Sequence, residues 1–281
     1  MLKIVLLLLI PFICDGFLFH NSPEWNGLKV SWSPNPFSGF HDLPRQRLEA
    51  VNDGWELLVP NSGCDGHANF KGERYIKNHD YGVILIYDAS GYIAGIQIGF
   101  PSSYSPNPNR YPPETLVNSP LVLDNGVYYL TAYFVHPGTI CTGRSQDEFE
   151  ETGTGEGLWI QNGTNPVLDS ISIPKQESDI VNTRWTRGKC FYTMGMHYWY
   201  NIRSNMTCDE FFPVFLMYND GLLNSFGWAL GMNIETSEFL EHPPPTSYGR
   251  FLKPVPRCLK SQGILTTLHI YMTDSVFWNH C

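Results

Sequence analysis

Histidine is the residue type in this chain best suited to chemistry, and three of the nine histidines form a candidate set. His197 lies within TMGMHYWYNI, residues 193–202, His67 within DGHANF, and His269 within TTLHIYMT. Imidazole binds zinc and copper and exchanges protons near neutral pH. One hypothesis is therefore a secreted enzyme that uses His67, His197 and His269, and in its metal-dependent form these three residues are the metal ligands.

The competing interpretation is that His197 is a packing residue. It stands beside Tyr198, Trp199 and Tyr200 in an apolar stretch, where backbone groups would satisfy its ring nitrogens. The sequence contains no HExxH motif and no G-x-S-x-G nucleophile motif, and the spacing of the histidines identifies no cofactor. We favour the packing role for His197 and assign no catalytic residue.

The elements that would position these side chains are β-strands. Side chains alternate between the two faces of a strand, so His269 is expected on one face with Thr267 and Tyr271, opposite Leu268 and Ile270. Aromatic residues make up 14% of the chain and charged residues only 16%, and proline and glycine are abundant. This composition favours a mostly β extracellular protein with many turns.

Two hairpin patterns suggest that the chain contains an internal repeat. Each pattern begins with an apolar run that ends in a tyrosine, turns through a polar segment and returns in a strand with spaced glycines. The two patterns are VILIYDASGYIAGIQIGF at residues 83–100 and VFLMYNDGLLNSFGWALGM at residues 214–232. At an offset of 130–132 positions, His67 falls opposite His197. We predict two related β-rich halves of sandwich or barrel type, with a short helical, glycine-rich insert between them.

The repeat divides the chain into segments. They are a signal peptide at residues 1–16, an N-terminal segment at 17–54, the first repeat at 55–141, a connector at 142–185 and the second repeat at 186–281. Within the connector, Ser145 and Glu148 form a capping-box pattern that predicts one short acidic helix, which the following glycines end.

The first residues have the layout of a secretory leader. Lys3 precedes an apolar run that Pro11 and Asp15 interrupt, and the run is shorter than the roughly 20 residues needed to span a bilayer. Cleavage after Gly16 would release an extracellular protein, and no later segment resembles a membrane span. Asn162 and Asn205 begin N-glycosylation sequons, which agrees with export.

Cleavage at this point also removes Cys14 and leaves six cysteines, an even number that predicts three disulfides in an oxidising compartment. If the two repeats are equivalent, Cys64 pairs with Cys141 and Cys190 with Cys281. The remaining pair is then Cys208 with Cys258.

Charge and aromatic content narrow the functional classes. The formal net charge is −9 and there is no basic run, which argues against nucleic acid and anionic membrane partners. Tyrosine and tryptophan occur in turn-rich segments, where exposed rings stack on sugars or anchor protein partners; they include Tyr104, Tyr111, Trp159, Tyr248 and Trp278. The leading hypothesis is an extracellular binding or matrix-type glycoprotein that recognises a glycan or a protein partner.

Overall fold

The computed structural model describes residues 23–35, 37–59, 63–64, 68–104, 116–117 and 119–281. Within these ranges the protein is mostly β, with 34% of residues in strands and 15% in helices. The proposed signal peptide, His67 and Tyr111 lie outside the described residues. No helix in the described ranges is both long and apolar enough to cross a bilayer.

The described residues form fifteen strands and three short α-helices. The strands are β1 (Lys29–Val30), β2 (His41–Asp42), β3 (Trp55–Leu57), β4 (Glu73–Lys77), β5 (Ile84–Tyr87), β6 (Ile93–Pro101), β7 (Val122–Asp124), β8 (Val127–Tyr133), β9 (Leu158–Gln161), β10 (Ser170–Ile173), β11 (Trp185–Phe191), β12 (Gly195–Tyr200), β13 (Val214–Asn219), β14 (Leu222–Leu230) and β15 (Thr266–Tyr271). The helices are α1 (Arg47–Asn52), α2 (Gln146–Thr152) and α3 (Leu259–Gln262). Short 3-10 turns lie at Glu177–Asn182, Cys208–Glu210, Pro245–Arg250 and Val276–Trp278.

The strands form two antiparallel sheets, one from β3–β10 and the other from β1, β2 and β11–β15. One sheet has the order β10-β9-β8-β6-β5-β4-β3, with β7 also paired to β8; the other has the order β11-β12-β13-β14-β15-β1-β2. The described strands form no closed barrel, so the barrel alternative is wrong. The connector at 142–185 is more than a helix and a loop, because it supplies β9 and β10 to the first half's sheet.

One hydrophobic core contains residues from both sheets. Leu216 and Phe226 belong to the seven-stranded sheet and Leu85 and Leu130 to the eight-stranded sheet, and all four are fully buried in the same cluster. Each such side chain contributes about 1.5–3 kcal/mol by leaving water. The strands contribute alternate residues to this core, so the intervening side chains lie on the opposite face of each sheet.

The opposite face of the seven-stranded sheet is covered by the chain between β14 and β15. Tyr248, Leu252 and Leu259 from this segment pack in a second cluster with Trp199 and Phe215 of the sheet. This covering segment and the sheet together enclose the candidate site.

The two hairpins of the repeat pattern make corresponding contacts. The hydroxyl of Tyr87 donates to the carbonyl oxygen of Pro44 at 2.8 Å, and the hydroxyl of Tyr218 donates to that of Pro174 at 2.6 Å. The strand pairing shifts by one residue just before each tyrosine. The prolines open the similar stretches PRQ at 44–46 and PKQ at 174–176, which lie before the repeat bounds predicted at residues 55 and 186.

Three disulfides cross-link the fold, and they join the pairs expected from the repeat. Cys64 bonds Cys141, Cys190 bonds Cys281 and Cys208 bonds Cys258. Helix α2 begins where its capping box predicts: Ser145 Oγ accepts from the Glu148 amide at 3.2 Å, and Glu148 Oε2 accepts from the Ser145 amide at 2.6 Å.

Candidate functional site

A cavity of about 340 Å³ lies on the covered face of the seven-stranded sheet, and we call it the imidazole pocket. Its walls are mainly aromatic, with Trp199 and Phe215 from the sheet and Phe251 from the covering segment. Two of the three candidate histidines, His197 and His269, line it. The structure therefore brings together two members of the predicted set.

Strand alternation explains why these residues share a face. His269 lies on β15, and its neighbours Leu268 and Ile270 point into the core between the sheets. Thr267 joins His269 in lining the pocket, which confirms the predicted grouping. On β12, His197 and Trp199 line the pocket, whereas Tyr198 faces the core.

Gly227 on β14 makes room for the ring of Phe215, which lies beside both imidazoles. A Cβ atom at Gly227 would lie 2.3 Å from Phe215 Cζ and 2.4 Å from the carbonyl oxygen of Leu268. The Phe215 ring centroid lies 5.6 Å from that of His197 and 5.0 Å from that of His269. Any larger residue at position 227 would displace this ring.

His197 is a neutral imidazole with one nitrogen fixed by the backbone. Its Nδ1 lies 3.1 Å from the carbonyl oxygen of Lys189 and 3.2 Å from that of Gly195, so Nδ1 carries the proton and donates. The residue is 1% exposed, and burial together with the neighbouring His269 lowers its pKa to about 3. Nε2 has no hydrogen-bond partner among the described residues, so backbone groups satisfy only half of this ring.

His269 is held by a carboxylate. Its Nδ1 lies 2.6 Å from Glu241 Oε2, which also accepts from the hydroxyl of Thr267 at 2.9 Å. Glu241 reaches this position because its backbone bridges Thr267 on the side of β15 away from β14. The other carboxylate oxygen, Oε1, is enclosed without a partner among the described residues.

The two imidazoles have their anchors on opposite flanks of the pocket. Lys189 belongs to β11, beyond β12, and Glu241 lies beyond β15. The ring centroids of His197 and His269 are 6.5 Å apart and the ring planes are nearly perpendicular. Each Nδ1 is therefore turned to its own flank of the pocket.

The eight-stranded sheet has no histidine at the position that corresponds to His197. In the seven-stranded sheet His197 pairs with Met217, the residue before Tyr218. In the eight-stranded sheet the residue before Tyr87 is Ile86, and Ile86 pairs with Arg74. Arg74 therefore occupies the register position that matches His197. His67, which was predicted to be its equivalent, lies outside the described residues.

The same register shows why only one sheet carries this pocket. Gln97 and Thr131 pair in the eight-stranded sheet where Gly227 and His269 pair in the other. The amide of Gln97 donates to the hydroxyl of Thr131 at 2.9 Å, so polar side chains bond to each other there. Glycine and histidine at these two positions distinguish the pocket-bearing sheet.

The remaining polar groups at the pocket have structural partners or lie at its mouth. His242 Nε2 lies 2.8 Å from the carbonyl oxygen of Ile234, so this histidine fixes a loop. Arg250 lines the mouth and is exposed. Across the described ranges, no three histidine, cysteine, aspartate or glutamate side chains are grouped to hold a metal ion.

Neither a scan against protein-family models nor searches of curated proteins and of solved structures gave a match. The function is therefore argued from the chemistry of the imidazole pocket and of the surface.

Proposed function

We propose that the protein is a secreted binding protein that holds a small organic ligand in the imidazole pocket. The observation that carries this proposal is the pocket itself, a cavity of about 340 Å³ with aromatic walls and few polar groups. Small-molecule sites have this composition and occupy about 300–1,000 Å³. The pocket is large enough for an organic ligand and too small for a protein segment with several side chains.

The polar groups define the ligand further. Nε2 of His197 is unprotonated because Nδ1 donates to the backbone, and the neighbouring carboxylate of Glu241 adds negative charge. These groups accept hydrogen bonds, and the faces of Trp199 and Phe215 attract apolar or cationic groups. The ligand is accordingly a molecule with an apolar or aromatic body and at least one N–H or O–H donor.

A pocket-blocking variant tests this proposal. Ser247 lines the mouth, whereas its exposed neighbour Thr246 does not. With phenol, indole and benzylamine as probes, saturation-transfer NMR is expected to detect binding to the native protein and to Thr246→Trp. Binding is expected to be lost in Ser247→Trp, and equal binding by both variants, or binding by none of the proteins, would contradict the proposal.

Export and glycosylation are part of the same proposal. Three disulfides are compatible with an extracellular protein. Asn205 is exposed in a turn, and Asn162 is half-buried next to the exposed Thr164. N-terminal sequencing of the secreted chain is expected to begin after Gly16, and a glycosidase is expected to remove two glycans.

The matched hairpins support an origin by duplication, with the two sheets packed as a sandwich. The tyrosine–proline bonds recur, and so do two backbone bonds: the Arg47 amide to the Gly91 carbonyl and the Glu177 amide to the Gly221 carbonyl, both 2.8 Å. In this account the second half of the chain carries the imidazole pocket, and the first half has Arg74, Gln97 and Thr131 at the corresponding positions. The pocket was either kept in the second half or formed there after the duplication.

A metal-dependent enzyme is the second candidate, and the anchored Nδ1 atoms of two neighbouring histidines favour it. Histidines that bind metals commonly donate Nδ1–H to a carbonyl or carboxylate, as His197 and His269 do. Two metal–nitrogen bonds of about 2.0–2.1 Å fit between rings 6.5 Å apart. Calorimetric titration with Zn²⁺ and Cu²⁺ is expected to give one site in the native protein and none in His269→Ala; no binding by the native protein ends this candidate.

A further inference from the structure

One tryptophan of this protein is exposed, although the fold buries or half-buries the others. Of the eight tryptophans, all in the described residues, Trp278 alone is classed as exposed, at 67% of its surface. It ends the short turn Val276–Trp278 close to the Cys190–Cys281 disulfide. A large apolar ring left in water in this way commonly marks an interaction site.

Trp278 lines a cleft of about 290 Å³, which we call the asparagine cleft. The cleft lies between the turn of the β13–β14 hairpin and the segment after β15, and it is separate from the imidazole pocket because the two share no lining residue. Its polar side chains include Asn219, Asn224, Asn279 and Thr273.

Three asparagines form a directed chain of hydrogen bonds along the cleft. Asn219 Nδ2 donates to Asn224 Oδ1 at 2.8 Å, and Asn224 Nδ2 donates to Asn279 Oδ1 at 3.0 Å. Asn279 is 3% exposed, yet its Nδ2 has no acceptor among the described residues, and the hydroxyl of Thr273 is also without a partner there. Buried donors of this kind are costly unless something accepts from them.

The charges of the cleft select the class of ligand. The charged side chains that line it are Glu24 and Asp220, and no lysine or arginine is among its described lining residues. Lys175 Nζ lies 2.8 Å from Glu24 Oε2 and is paired with it, so Asp220 is the carboxylate that a ligand would meet without a counter-ion. An acidic or sulfated ligand would be repelled by Asp220 and would have to compete with Glu24 for the lysine. A neutral ligand with many hydroxyls would instead find amide donors, carboxylate acceptors and an aromatic face.

We propose that the asparagine cleft binds a neutral sugar ring, with the apolar C–H face of the ring stacked on Trp278 and its hydroxyls bonded to Asn279, Thr273 and Asp220. Saccharides combine one apolar face with donors and acceptors around the edge, which matches an indole beside planar amides.

The cleft is preorganised by bonds that do not depend on the ligand. The backbone carbonyl of Asn279 accepts from the Thr193 amide at 2.8 Å, and Asn219 Oδ1 accepts from the Cys281 amide at 3.1 Å. Together with the Cys190–Cys281 disulfide, these bonds fix both ends of the asparagine chain. Little side-chain ordering then remains to oppose binding.

The test is a titration of the full-length secreted protein with methyl glycosides of glucose, galactose, mannose and N-acetylglucosamine, followed by saturation-transfer NMR. At least one of these neutral glycosides is expected to bind. Trp278→Ala should weaken that binding about tenfold, and Trp278→Phe, which keeps an aromatic face, should weaken it less. Leu168→Ala removes another exposed apolar side chain, 78% exposed and outside the cleft, and should bind as the native protein does.

Any one of four outcomes would overturn the proposal. Three concern sugars: no binding of any neutral glycoside, unchanged binding by Trp278→Ala, and tighter binding of sialyllactose or a sulfated sugar than of neutral ones. The fourth is that replacing Trp278 abolishes binding of a protein partner but of no sugar. Ser247→Trp should leave sugar binding intact, so failure here is distinguishable from failure of the imidazole pocket.

Discussion

His197 links the pH of the surroundings to the stability of the fold. Its pKa is lowered from 6.5 to about 3 by burial and by the neighbouring His269, so the folded protein keeps the ring neutral. Between these two pH values the unfolded chain binds a proton that the folded chain does not. The contribution of His197 is therefore present above pH 6.5 and is lost as the pH falls towards 3.

We expect this residue to make the free energy of unfolding fall by up to about 1.4 kcal/mol per pH unit within that window. Urea unfolding from pH 7 to pH 4 measures the slope, and the same series on His197→Gln supplies the control. The slope should be smaller in the variant. An NMR titration in which the His197 ring protonates near pH 6.5 in the folded protein would refute the argument.

Gly227 is the second residue whose replacement has a defined consequence. A methyl group there would overlap both the Phe215 ring and a carbonyl oxygen, so Gly227→Ala should cost about 1–3 kcal/mol and push the ring into the pocket. Gly249 is the matched control, because an added Cβ there would contact nothing within 4 Å. Thermal unfolding and probe binding measured on both alanine variants check the prediction; equal stability of the two would refute it.

Sequence patterns predicted some of the residues that line the imidazole pocket but not the complete set. Strand alternation correctly grouped His269 with Thr267. Glu241 was missed because it approaches His269 through a long covering segment that no periodicity describes. The constant offset that placed His67 opposite His197 does not hold between neighbouring strands, because Tyr218 lies 131 positions after Tyr87, whereas His197 lies 123 positions after Arg74. The connection between β12 and β13 is longer than the connection between β4 and β5, so one spacing cannot align both pairs of strands.

At the scale of elements, the two hairpins are secured to the preceding chain by their tyrosines. Tyr87 and Tyr218 are both fully buried, and each hydroxyl donates to a proline carbonyl. Tyr87→Phe and Tyr218→Phe should each lower the free energy of unfolding by about 1 kcal/mol, because each leaves one buried carbonyl without its donor.

The pair of variants serves as its own control, since the two hairpins are compared in one protein. Urea unfolding of both single variants is the measurement. A large loss for one and none for the other would show that the two contacts are not equivalent.

Elements with strong local signals were predicted, and those that depend on distant partners were not. The hairpins and helix α2 were foreseen because turn residues and a capping box specify them locally. Strands β9 and β10 were missed within the connector, because the pairing of β9 with β8 and of β10 with β9 is decided by the fold and not by their own short sequences.

At the scale of the whole molecule, three disulfides close long stretches of chain. The bonded cysteines are 77, 91 and 50 positions apart, and removing one such bond typically costs about 2–5 kcal/mol. The double variant Cys190→Ser/Cys281→Ser should lose stability in this range, as measured by thermal unfolding. It should also weaken sugar binding, because that bond secures the asparagine cleft. Free thiols in the native protein by Ellman assay would contradict the pairing.

The pairing of β1 with β15 has a consequence for biosynthesis. Val30 and Ile270 are register partners. Strand β1 therefore leaves the ribosome long before its partner β15, which is synthesised some 240 residues later. Translation proceeds at about 5–20 residues per second, so this delay lasts on the order of tens of seconds. During that time β1 has only β2 as a neighbour. A product truncated after residue 141 would leave the β15 side of β1 permanently unpaired and would be a substrate for chaperones and degradation.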